Sequence, residues 1–126
     1  MPVTGVQTCA LPIWTLTFSI IAKLIDSSRG AVSGKQLFAA MIAHFGSSNI
    51  REIKAIWVDN PGMDDNLNAF NHWTDPSLGG LSREEAATKT WTGQRAVESG
   101  FPNVVIHFDD PPLAGHHENI IVLFKP

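Results

Sequence analysis

Apolar residues recur along this chain in two rhythms, one of two residues and one near 3.6, and the switches between them outline its elements. Residues 14–20 (WTLTFSI) alternate apolar and polar positions, the period of a half-buried strand. The run continues into 21–25, which extends the strand or begins a helical turn, and 26–30 is loop-like in composition. Ser33 and Gln36 form a capping box. Leu37, Phe38, Met41, Ile42 and Phe45 then make one helical face, with Gly46 as the left-handed stop. Residues 50–58 read as a strand with Ile53, Ala55 and Trp57 on one side and Lys54, Ile56 and Val58 on the other, so both faces are expected to be partly covered. Asp64 or Asp65 caps a short helix carrying Leu67, Phe70 and Trp73. A second capping box, Ser82 with Glu85, opens a helix expected to run to Gly100, with Phe101 folding back on its last turn. Its buried stripe is expected to be Ala86, Thr90, Gly93 and Val97. Gly93 costs about 1 kcal/mol against alanine in mid-helix, so close approach of another backbone is its expected reason. Two β-branched runs, 104–108 and 120–124, close the chain around a long hairpin loop at 109–118. The order of elements gives an α+β fold: three helices packed on a small, mostly antiparallel sheet of three to four strands.

Residues 3–13 (VTGVQTCALPI) stand apart. These eleven consecutive residues resemble a translated sequencing-library adapter, of the kind found at the ends of genes assembled from metagenomes. Like a fusion scar, such a segment is left out of fold reasoning. Residues 1–13 are therefore expected to be an artefactual leader and 14–126 a single α+β domain, the C-terminal fragment of a longer protein whose upstream part is lost.

That domain is long enough to bury roughly two-thirds of its unfolded surface. With 44% hydrophobic and 17% charged residues the chain has ordinary globular composition. Its net charge of −3 offers no counterion-release drive toward nucleic acid. The only cysteine, Cys9, lies in the leader, which leaves the domain without a thiolate nucleophile, a disulfide or a cysteine metal ligand. The most apolar stretch, 14–25, is shorter than the ~20 residues of a membrane helix and contains Lys23, so no membrane partner is expected.

Two constellations could carry chemistry. If the last two strands pair, His107, Asp109, Asp110, His116, His117 and Glu118 converge at one end of the sheet. Such nitrogen and oxygen donors suit a divalent metal or an acid–base pair. No recognised ligand spacing is present, so catalytic roles are assigned to His107, Asp109, His116, His117 and Glu118 and no metal site or cofactor is named. A solvated hairpin tip accounts for the same residues without chemistry. The second constellation, for ligand binding, is Asn66 and Asn71 on the short helix with Trp91 and Arg95 in the odd run 90–95 (TWTGQR). Threonine, tryptophan and glycine are indifferent or poor helix formers, and local rules that fail together often mark function. Amides that satisfy loop carbonyls, and a packing role for Trp91 and Gly93, are the competing explanations.

The segments 37–45 (LFAAMIAHF), 53–57 (IKAIW), 65–71 (DNLNAFN), 81–87 (LSREEAA), 90–93 (TWTG) and Gly100-Phe101 resemble variable C-terminal domains of bacterial polymorphic toxin proteins, which are attached to repeat-rich secreted scaffolds. The likeness spans most of 34–126. It implies a terminal effector, often a nuclease, a deaminase or another nucleotide-directed enzyme, exported as part of a larger protein and met by a cognate immunity protein. No catalytic motif of those classes carries over; the combined His-x-Glu with Pro-Cys-x-x-Cys of zinc deaminases, for example, is absent, there being no Pro-Cys-x-x-Cys. A non-catalytic binding or structural module is the alternative, and exposed apolar surface around Trp57 or Trp73 would favour it.

Overall fold

The computed structural model describes residues 14–17, 34–62 and 64–126. The leader, the continuation of the first strand through 18–25, the loop at 26–30 and the Ser33 cap lie outside the described residues. The fold is α+β. Strand β1 (Trp14–Thr17) precedes helix α1 (Gly34–Phe45) and strand β2 (Ile50–Val58). Helices α2 (Asp65–Thr74), α3 (Arg83–Lys89) and α4 (Trp91–Glu98) follow, then strands β3 (Asn103–Asp110) and β4 (Asn119–Lys125). The sheet order is β1-β2-β4-β3, with β1 parallel to β2 and both other pairings antiparallel.

One face of the sheet is covered. Ile53, Ala55 and Trp57 of β2 and Ile120, Val122 and Phe124 of β4 form a single core cluster with Phe38, Ile42, Leu67, Phe70, Ala86, Ala87, Ala96 and Phe101. The other face presents Ile56, Val58, Val105 and Phe108, each 39–50% exposed. Covering of both faces, expected for β2, is therefore one-sided at Ile56 and Val58. Leu37, expected on the inner face of α1, is also exposed.

The single helix expected between Ser82 and Gly100 is two. Thr90 has extended backbone (φ −71°, ψ 164°), ending α3 and capping α4. Its buried hydroxyl donates to the Ala87 carbonyl at 2.7 Å and accepts the Gly93 N–H at 2.9 Å, which satisfies one orphan group from each helix. Close approach explains Gly93: a Cβ there would lie 1.9 Å from the Ala87 carbonyl oxygen. The break rotates Val97 out of the expected stripe, and it is exposed. Both ends of this pair follow the sequence signals. The Ser82 hydroxyl accepts the Glu85 N–H at 3.2 Å. After α4, Phe101 N–H reaches the Ala96 carbonyl and Gly100 N–H the Val97 carbonyl, a Schellman stop with Gly100 at φ +95°.

Strand β3 carries a bulge. Val104 pairs with Phe124, Val105 with Leu123 and Ile106 with Val122, and then Phe108, not His107, pairs with Ile121. The extra residue reverses the alternation beyond it. Phe108 turns to the open face, and Asp109, opposite Ile120, turns to the face covered by helices.

Candidate functional site

That reversal creates the site. Asp109 arrives on the inner face with its side chain only 4% exposed, and His117, from the loop after β3, meets it with a side chain 1% exposed. Asp109 Oδ1 lies 2.8 Å from His117 Nδ1. The other carboxylate oxygen, Oδ2, accepts from Arg83 Nη1 of α3 at 2.9 Å. A buried carboxylate with a guanidinium on one oxygen is an acceptor only, so the Nδ1 position must be the donor to it. In the neutral ring Nε2 then carries a lone pair, and it is buried with no hydrogen-bond partner among the described residues.

The loop bearing His117 is held from α2. The Asn71 side chain donates from Nδ2 to the His117 carbonyl at 3.0 Å and accepts the His117 N–H on Oδ1 at 2.6 Å, as a neighbouring strand would. Thr74 Oγ1 accepts the Gly115 N–H at 3.0 Å. The Phe70 ring meets the imidazole edge to face, centroids 4.8 Å apart. Asp59 N–H donates to the Glu118 carbonyl at 3.1 Å, tying the far end of the loop to β2. Next to the clamp, Asp75 accepts the hydroxyl and backbone N–H of Ser77, at 2.7 and 2.8 Å. These bonds, the hydroxyl first, hold its carboxyl below the usual carboxylate value.

The five catalytic candidates separate accordingly. Asp109 and His117 come together. His116 and Glu118 form a distinct surface pair at 3.6 Å, and His107 stands exposed at the bulge. No group of three or more His, Cys, Asp or Glu side chains among the described residues is gathered as a metal ion would require. The four ligand-binding candidates do not converge. Asn66 Oδ1 accepts the Thr92 N–H at 3.1 Å and so helps cap α4. Asn71 holds His117. Trp91 packs edge-on against Phe38, and Arg95 lies over the Trp91 ring, 5.4 Å from its centroid, with Nη2 2.9 Å from Glu98 Oε2. A shallow open depression lined by Thr88, Lys89, Gln94, Val97 and Glu98 contains none of the nine candidates.

Sequence reasoning missed Arg83. One signal was available: a cation in the first turn of a helix opposes the helix dipole, whereas the following Glu84 and Glu85 suit it. Trp57 is in the core and Trp73 only half-buried against it, so the expected apolar surface lies instead on the open sheet face. No described helix is long and apolar enough to cross a membrane. No protein-family model, curated protein or solved structure matches the chain.

Proposed function

We propose that this chain is an effector-like terminal domain of a larger bacterial protein of the polymorphic-toxin kind, and that its chemistry is acid–base catalysis by the Asp109–His117 pair. One observation carries the reading: a buried imidazole is oriented by a carboxylate through Nδ1, and its Nε2 is buried without a hydrogen-bond partner among the described residues. A carboxylate-oriented imidazole is the usual general base for activating a hydroxyl or water, taking the proton on the free nitrogen and returning it to the leaving group. Nε2 is enclosed, so the reading requires an opening beside the ring that leaves the Asp109–His117 pair and the Asn71 clamp in place. The sequence resemblance supports the setting, and with it a cognate immunity protein as partner and export within the larger protein.

The test is induced expression of the full chain in a bacterial cytoplasm, with His117→Gln and Asp109→Asn beside it. Growth arrest by the parent, relieved by either variant while thermal unfolding remains cooperative, is the expected result. A harmless parent, or arrest that persists in His117→Gln, overturns the reading. A second reading, a non-catalytic binding module, is favoured by the open sheet face with Ile56, Val58, Val105 and Phe108 exposed on two strands. Under it, Phe108→Ser removes partner binding and His117→Gln leaves it intact.

A further inference from the structure

We propose that Arg83 is a positioning residue that sets which nitrogen of His117 carries the proton; its functional meaning rests on the acid–base reading above. The argument begins with Asp109. Its carboxylate is almost fully enclosed, and a buried carboxylate without a counter-charge escapes by taking up a proton or by rotating toward water. Either escape would end its role as an obligate acceptor. A protonated Asp109 can donate to Nδ1, and a rotated one abandons it; in both cases the ring is free to protonate Nε2 instead.

Arg83 closes both routes. Its charge compensates the carboxylate, and its Nη1 engages Oδ2 at 2.9 Å, which leaves Oδ1 directed at the ring. Asn71 meanwhile fixes the main chain of His117 from both its N–H and its carbonyl, and Phe70 flanks the ring, so reorientation of the imidazole is not a third route. The Arg83 side chain is 44% exposed while that of its partner is 4% exposed. A side chain reaching the surface thus governs the tautomer of a buried ring. Arg83 is unfavourable for the helix it begins, and Asp109 supplies the reason for its presence.

The readout is the ring-nitrogen NMR spectrum of the full chain labelled with ¹⁵N-histidine, with the His117 signals identified by their loss in His117→Gln. At neutral pH the parent is expected to show Nδ1 protonated and Nε2 bare. Arg83→Ala is expected to lose this one-sided pattern and give signals averaged between the two tautomers. Arg83→Lys, which restores a cation to Oδ2, is expected to recover it. A merely structural role would lower stability in Arg83→Ala without moving the nitrogen shifts, and unchanged shifts in the folded variant overturn the proposal. So does a parent with Nε2 protonated, a result independent of whether Arg83→Ala folds. Growth arrest is read separately: a harmless chain that retains the Arg83-dependent tautomer removes the effector reading and leaves this assignment standing.

Discussion

Replacing Gly93 by alanine reverses the sign that helix propensity alone assigns to it. In an open helix the change gains about 1 kcal/mol. Here the new Cβ would lie 1.9 Å from the Ala87 carbonyl oxygen and 2.8 Å from both the Ala87 carbonyl carbon and the Thr88 Cα. All three are backbone atoms, so no side chain can swing aside. Restoring van der Waals distance requires α3 and α4 to part by roughly 1.5 Å, which costs about 1–3 kcal/mol in a packed interior. Parting them also breaks the buried bond from Gly93 N–H to the Thr90 hydroxyl, and an unsatisfied buried group costs about 1–3 kcal/mol more. The net expectation is destabilisation by about 1–5 kcal/mol, centred near 3, a fall in Tm of roughly 10 °C for a domain of this size. Urea unfolding of Gly93→Ala measures it. Gly100→Ala is the internal comparison: its φ is +95° and a Cβ would meet nothing within 4 Å, so it carries only left-handed strain of about 1–2 kcal/mol. A Gly93→Ala protein as stable as the parent, or more so, refutes the reasoning.

Deleting His107 should remove the bulge and leave plain alternation with Phe108 still opposite Ile121 and Asp109 still opposite Ile120, so that Asp109 keeps facing the helices. The Asp109–His117 pair should therefore survive, and urea unfolding of the deletion should show much less than the about 3–5 kcal/mol loss of a severed buried pair; a loss of that size would show that pairing with β4 does not set the facing. Asp75 titrates below the usual carboxylate value, so its bonds to Ser77 contribute stability above that value and lose it as pH falls through the lowered one. Asp75→Asn should therefore be less stable than the parent at pH 7, with the difference closing as pH falls through the lowered value, and a deficit that does not shrink in acid counts against the assignment. Removal of residues 1–13 is expected to leave Tm nearly unchanged, and a drop of many degrees in a thermal scan overturns the exclusion of the leader.

What could be read from the sequence was whatever local chemistry determines. The Ser82–Glu85 box, the Gly100 stop with Phe101 folded back, and the grouping of Ile53, Ala55 and Trp57 on one side of β2 are all short-range consequences of side-chain and backbone preference, and all are present. The α+β class follows from the order of such elements. The break at Thr90 was half legible: the run of poor helix formers announced that something other than propensity governed it, but a threonine capping one helix while ending another reads the same as a threonine inside one. The bulge was not legible. Nothing local distinguishes the alternation Val104–Phe108 with an extra residue from the same strand without one, because the register is set by the partner strand. For that reason unbroken alternation from Ile106 would put Phe108 on the inner face, where it is in fact 46% exposed, and Asp109 reads as hairpin tip and is enclosed. Arg83 was hidden for the same cause, since its partner is 26 residues away and is oriented by the bulge.

The bare Nε2 weighs differently against the structural and the chemical readings of His117. Holding the loop does not require it. Asn71 supplies two bonds to the main chain of residue 117, Thr74 one to Gly115, and Asp59 one to Glu118, and none of these involves the ring. A side chain serving only to fill this site would do so at lower cost as phenylalanine or leucine, which leave no polar atom unsatisfied; an unpaired buried acceptor costs about 1–3 kcal/mol. Those residues would, however, strand Asp109 and Arg83, so the ring must be weighed together with the carboxylate that orients it. Exchanging a buried charged pair for apolar side chains is often neutral or stabilising, which means that packing alone gives no reason for the whole assembly. A fixed tautomer with a free lone pair is the one property that Arg83, Asp109 and His117 have together and that an apolar replacement lacks.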